Sequence, residues 1–100
     1  MNNWIINAMP TLISFIQHLT ERGIEIIGLD STDDSFRIHC KTNEEFGLWA
    51  KIYNAQVEDI REGYTGTQSI IYPYKISAVV DGIMVFGLMG EEEYREWRGE

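Results

Sequence analysis

Residues 69–89 read SIIYPYKISAVVDGIMVFGLM, two apolar, β-rich runs on either side of Asp81-Gly82. Both central positions of the tightest hairpin turn need positive φ, and Asp followed by Gly accepts that conformation at little steric cost, so the stretch predicts an antiparallel hairpin. Pro73 has no N–H for a ladder bond and marks an edge or a bulge in the first run, residues 69–80. The second run, residues 83–89, is apolar at odd and even positions alike. That predicts a central strand with helix on one face and another layer or a partner on the other. The same apolar excess, from Ile70 to Met89, raises the expectation of a homodimer through this hairpin.

Outward from the hairpin, residues 35–41 alternate, with Phe36, Ile38 and Cys40 on one face and Arg37, His39 and Lys41 on the other. Residues 24–29 form another β-branched run, and Asp30, Ser31, Thr32, Asp33 and Asp34 supply the turn between the two. Residues 56–62 have a weaker pattern, with Val57 and Ile60 three apart, and are read as a strand. Helical spacing appears in residues 10–22, where Leu12, Phe15, Ile16 and Leu19 share a face, Pro10 suits the first turn and Gly23 the C-terminal cap. Trp4, Ile5 and Ala8 either extend this helix past a kink or form a separate arm. Thr42 and Glu45 make a capping box before a second helix with Phe46, Trp49, Ala50 and Tyr53 on one side, and Asn54 can close it in a left-handed conformation. Residues 91–98 predict a third helix, acids at its positive end, Arg95 and Arg98 near its negative end, and Tyr94 and Trp97 as packing residues. The order α-β-β-α-β-β-β-α predicts one α+β domain over residues 1–100, its helices packed on an antiparallel sheet of four to five strands.

The chain has 100 residues, 44% hydrophobic and 12% aromatic, enough for one core and against intrinsic disorder. Its net charge of −8 repels phosphate backbones and anionic membranes, so direct nucleic-acid and membrane binding are both disfavoured. No apolar run approaches the roughly 20 residues of a membrane span. The N-terminal residues lack a basic segment and a long apolar stretch, so no signal peptide is expected. Cys40 is the single cysteine, which excludes an intrachain disulfide and fits a reducing cytoplasm.

No catalytic motif emerges. Cys40 beside His39 resembles a nucleophile and base only on paper, because neighbours in a strand point to opposite faces; a buried structural thiol is the expectation. No His or Cys spacing fits zinc, and Asp30, Asp33 and Asp34 lack the pattern of a calcium loop, so no metal is expected. The stretch 63–69 shares two glycines with phosphate-binding loops but lacks their Gly-Lys-Ser/Thr ending. The nucleophile elbow of hydrolases is missing, and carboxylates are too many for any one pair to stand out. The expectation is a protein that is not an enzyme and carries no cofactor.

Two charged features remain. Arg37, His39 and Lys41 form a positive stripe fit to receive an anion, unless acids on the neighbouring strand, such as Glu25, neutralise it. The acids Glu91, Glu92, Glu93 and Glu96, and secondarily Asp30, Asp33 and Asp34, offer an array that would steer encounter with a basic protein, with Tyr94 and Trp97 supplying affinity. Acids in turns and at helix starts also stand there for local reasons alone. The overall profile, short, acidic, aromatic-rich and α+β with a single Cys, looks like small protein inhibitors such as phage-encoded anti-CRISPR proteins or toxin-immunity proteins. The resemblance is compositional and covers no specific residue. It implies an inhibitor or regulator of a larger basic protein, such as one that handles nucleic acid. The alternatives are a small enzyme or ligand-binding domain with a non-contiguous site, and a subunit that works through its own oligomer.

Overall fold

The computed structural model describes residues 3–60 and 71–99. The expected loop around 63–69, the end of the third predicted strand and the start of the fourth lie outside the described residues. The elements are α1 (Asn3–Glu21), β1 (Ile26–Ser31), β2 (Phe36–Cys40), α2 (Glu44–Ile52), β3 (Gln56–Asp59), β4 (Tyr74–Val80), β5 (Ile83–Met89) and α3 (Glu91–Arg98). The five strands form one sheet in the order β1-β2-β5-β4-β3. The predicted α+β class and element order hold.

The sheet is mixed, which corrects the expectation of a purely antiparallel one: β2 and β5 run parallel, with Ile38 opposite Val85. Hairpin signals fix only the pairs they join, β1 with β2 and β4 with β5. The β2–β5 pairing is made across a long connection through α2, β3 and β4, and such a crossover permits parallel strands. The Asp81-Gly82 turn has φ of 52° and 78°, as the hairpin required. Pro73 stands just before β4 and offers its carbonyl to the Ile60 amide at 2.9 Å.

Helix α1 begins at Asn3 and continues through Pro10, so Trp4, Ile5 and Ala8 belong to it and Pro10 is interior rather than in the first turn. A proline here takes away the bond to the Ile6 carbonyl. Ile6 and Pro10 are both exposed, which leaves that carbonyl to solvent. The helix ends as predicted at Gly23, with φ of 82°, where the amides of Gly23 and Ile24 reach back to the carbonyls of Thr20 and Leu19. Helix α2 closes in the same way at Asn54, φ 54°. Its start departs from the expected capping box. Asn43 is the cap and accepts from the Phe46 amide at 2.8 Å, while Thr42 turns towards β5 and α3.

One layer of helices lies on one face of the sheet. Leu12, Phe15 and Leu19 from α1 and Phe46, Trp49 and Ala50 from α2 close over Phe36, Ile38, Cys40, Ile76, Ala78, Ile83, Val85 and Met89. The hairpin thus buries one face, with Tyr74 and Val80 at the ends of β4 only partly covered. On its other face Met84, Phe86 and Leu88 are half-buried among Lys75, Ser77 and His39.

Candidate functional site

The residues singled out by charge fall in two places. The turn with Asp33 and Asp34 enters β2 at its first end, and α3 leaves β5 at its last; because β2 and β5 run parallel, the two acidic clusters sit at opposite ends of the sheet. Seven residues of β5 span about 20 Å, so a partner contacting both would have to cross the whole molecule.

At the turn end, Asp30 is engaged locally. Arg37 Nε and Nη2 donate to its two carboxylate oxygens at 2.7 and 2.5 Å, which holds its carboxyl below the usual value. Asp34 accepts from the Thr32 hydroxyl at 3.3 Å, and Asp33 is exposed. The positive stripe does lie on the sheet face opposite α1 and α2, and neighbours occupy each member of it. Arg37 holds Asp30, Lys41 Nζ lies 3.8 Å from Glu25, and His39 stacks on Phe86 with ring centroids 4.6 Å apart. Burial depresses the pKa of His39, more than the nearby Asp30 charge raises it. The imidazole is therefore less protonated at a given pH than a free one, and the stripe carries less charge than three cations would. Cys40 points into the core, and burial pushes its thiol up to about 12, which leaves almost no thiolate at neutral pH.

At the other end, the acidic helix builds a groove. Trp97 reaches across to α2, where its Nε1 donates to the Gly47 carbonyl at 2.9 Å. A Cβ on Gly47 would lie 2.8 Å from Trp97 Cδ1, so this close approach of the two helices requires glycine. Tyr94 stacks on Tyr74 at 3.9 Å between centroids, and Arg98 Nη1 donates to its hydroxyl. The hydroxyl of Thr42 is 2.9 Å from Glu93 Oε1 and 3.1 Å from the Leu88 carbonyl, so its one hydrogen serves either acceptor. Glu91 pairs with Arg95 one turn on. Glu92 and Glu96 are exposed.

Between α2 and α3 this leaves an open cleft of about 400 Å³. Its apolar lining is Leu48, half exposed, and the Trp97 ring, over the buried Met89; Glu44, Glu93 and Glu96 stand around it, and among the described residues Lys51 is its one basic lining residue. Lys51 Nζ sits 5.8 Å from the Trp97 ring centroid. Of the predicted residues, the fold gathers Glu93, Glu96 and Trp97 here and adds Glu44 from the next helix. Tyr94 is spent on Tyr74. Gly47, Leu48 and Met89 were not legible as site residues, although a glycine on the buried side of a helix is the kind of signal that points to a close packing partner.

Among the described residues, no group of three His, Cys, Asp or Glu side chains is placed to hold a metal, and no helix is long and apolar enough to cross a membrane. No family model, curated protein or solved structure matches the chain.

Proposed function

We propose that this protein acts by binding rather than by turnover, receiving a basic segment of a larger protein in the α2/α3 groove and so inhibiting or regulating that partner. The observation that carries the reading is the make-up of the groove: an apolar floor of Leu48 and Trp97 with, among the described residues, three carboxylates and a single lysine around it. A helix or strand with Lys or Arg flanking one or two large apolar side chains complements such a surface in both charge and hydrophobicity. The net charge of −8 adds a long-range attraction that speeds encounter with a cationic partner and fades as salt shortens the Debye length to about 10 Å at 0.1 M.

The test is affinity capture from the native host with the wild-type protein and with a Glu44→Lys/Glu96→Lys variant, read by mass spectrometry. Both positions are exposed, so the variant keeps the fold. Proteins with basic surfaces that are retained by the wild type and lost by the variant support the groove. Capture that ignores the charge reversal removes it as the interface, and turnover of a small substrate by the purified protein would replace the binding reading.

A further inference from the structure

Helix α1 is apolar over more of its circumference than its own domain covers. At about 100° per residue, Trp4, Ala8, Leu12, Phe15 and Leu19 make the arc that meets the sheet and α2, while Ile6, Met9, Ile13 and Ile16 continue the apolar arc to about 200°. Ile6 is 57% exposed, Met9 40% and Ile13 51%. These residues follow the 3-4-3 spacing of a helix-pairing seam. Phe15 lies against Trp49 of α2, so the seam, on the opposite flank, overhangs the edge strand β1. There Leu29, opposite Ile38 and so directed to the helix side, is 51% exposed. Among the described residues no strand pairs with the outer side of β1. One flank of the molecule thus combines a helical seam that is uncovered from Ile6 to Ile13 and ends on the half-buried Ile16, an exposed edge leucine and an open strand edge.

We infer that this α1/β1 flank receives a second copy of the chain, related by a two-fold axis, with α1 packed antiparallel on α1 and β1 beside β1. Two observations select a second copy over other occupants. The seam reads the same in both directions about Thr11: reversing it places Ile6 opposite Ile16 and Met9 opposite Ile13, the self-complementarity an isologous dimer needs. The flank is also the uncharged side of an acidic protein. No Asp, Glu, Lys or Arg occurs from residue 3 to residue 20, and Asp30 on β1 is neutralised by Arg37. Among the described residues the seam itself carries no acid, so two chains of net charge −8 can meet along it, whereas a basic partner would find no seam carboxylate to pair with. The size is that of a weak dimer. A 19-residue helix is about 28 Å long, and with the 20 Å thickness of the molecule it outlines a face of roughly 560 Å², below the roughly 800 Å² per partner of standard interfaces.

The dimer predicts a modest affinity with a salt response opposite to that of the groove. Screening lessens repulsion between like-charged copies, so salt should strengthen self-association while weakening a basic partner. The experiment is sedimentation equilibrium of the full chain at micromolar concentrations in low and high salt, for the wild type, Ile13→Glu and Ile6→Glu. Far-UV circular dichroism confirms that the variants are folded. A wild-type dimer whose dissociation constant rises about a hundredfold in each variant supports the inference, since the two-fold axis buries each new carboxylate twice. A wild-type monomer throughout the range overturns it, as does a dimer unaffected by both substitutions. Co-sedimentation of a monomeric wild type with phosphatidylcholine vesicles would also overturn it, by giving the seam to a lipid surface.

Discussion

Helix α1 has no Asp, Glu, Lys or Arg before Glu21 and carries more apolar surface than its domain buries, whereas six of the eight residues of α3 are charged and none is buried. Nineteen residues with three buried anchors, Leu12, Phe15 and Leu19, make α1 a wall of the core. An eight-residue helix is well under the about 12–15 residues at which isolated helices become even marginal, so α3 depends on docking. Its charges follow the macrodipole, Gly99 closes it at φ 84°, and Trp97 and Tyr94 fasten it to α2 and β4. One helix is therefore part of what folds the domain, and the other is an acidic attachment held by two aromatic rings. The difference divides the surface into an apolar flank and a charged groove.

Substitutions in the two helices should differ in size and kind. Leu19 is fully buried, and Leu19→Ala should cost about 3 kcal/mol of global stability, read as a shifted urea midpoint with a single cooperative transition. A loss below 1 kcal/mol would mean that α1 is not part of the cooperative core. Trp97→Ala removes a half-buried ring and its hydrogen bond to Gly47, and about 2 kcal/mol is expected. The loss should appear first as release of α3: faster amide exchange across residues 91–98 while the strands stay protected. Uniform loss of protection would show that α3 is as integral as α1.

Much of this architecture was legible in local signals. Asp81-Gly82, Gly23 and Asn54 sit in the positive-φ positions their residue types favour, and the alternation of Phe36, Ile38 and Cys40 gives the buried face of β2. The neutralising contact of Glu25 with Lys41 also followed from strand neighbourhood. What escaped was non-local. The capping box at Thr42 was a sound local pattern, but the Thr42 hydroxyl has partners in Leu88 and Glu93, 46 and 51 residues away, and Asn43 caps instead. The parallel β2–β5 pair and the groove are of the same kind, since Gly47 and Trp97 lie 50 residues apart in the chain. Charge clusters were visible in the sequence, but which of them share a surface depended on strand direction.

The sheet face opposite α1 and α2 belongs to neither helix and offers a smaller, pH-dependent effect. The pKa of His39 is lowered in the folded state, chiefly by desolvation against Phe86 and its neighbours, below the ordinary 6.5. Above that pH the ring is neutral folded and unfolded, and it adds no pH dependence. As pH falls through 6.5 the unfolded chain takes up the proton first, so stability declines until the folded pKa is also passed. Urea midpoints measured between pH 7.5 and 5 should show this decline in the wild type and less of it in His39→Gln; equal slopes would place its cause elsewhere.

The central claim, that the acidic α3 serves the molecule by walling a groove for basic segments, is met most directly by nuclear magnetic resonance. An isotopically labelled sample would be titrated with an amphipathic peptide of arginine and leucine at low and high salt. Saturable shifts of the Trp97 indole N–H and the backbone amides of Gly47 and Leu48, weakening as salt rises, are the predicted result. Shifts confined to the exposed acids Glu91 and Glu92, with the Trp97 indole unmoved, would contradict it.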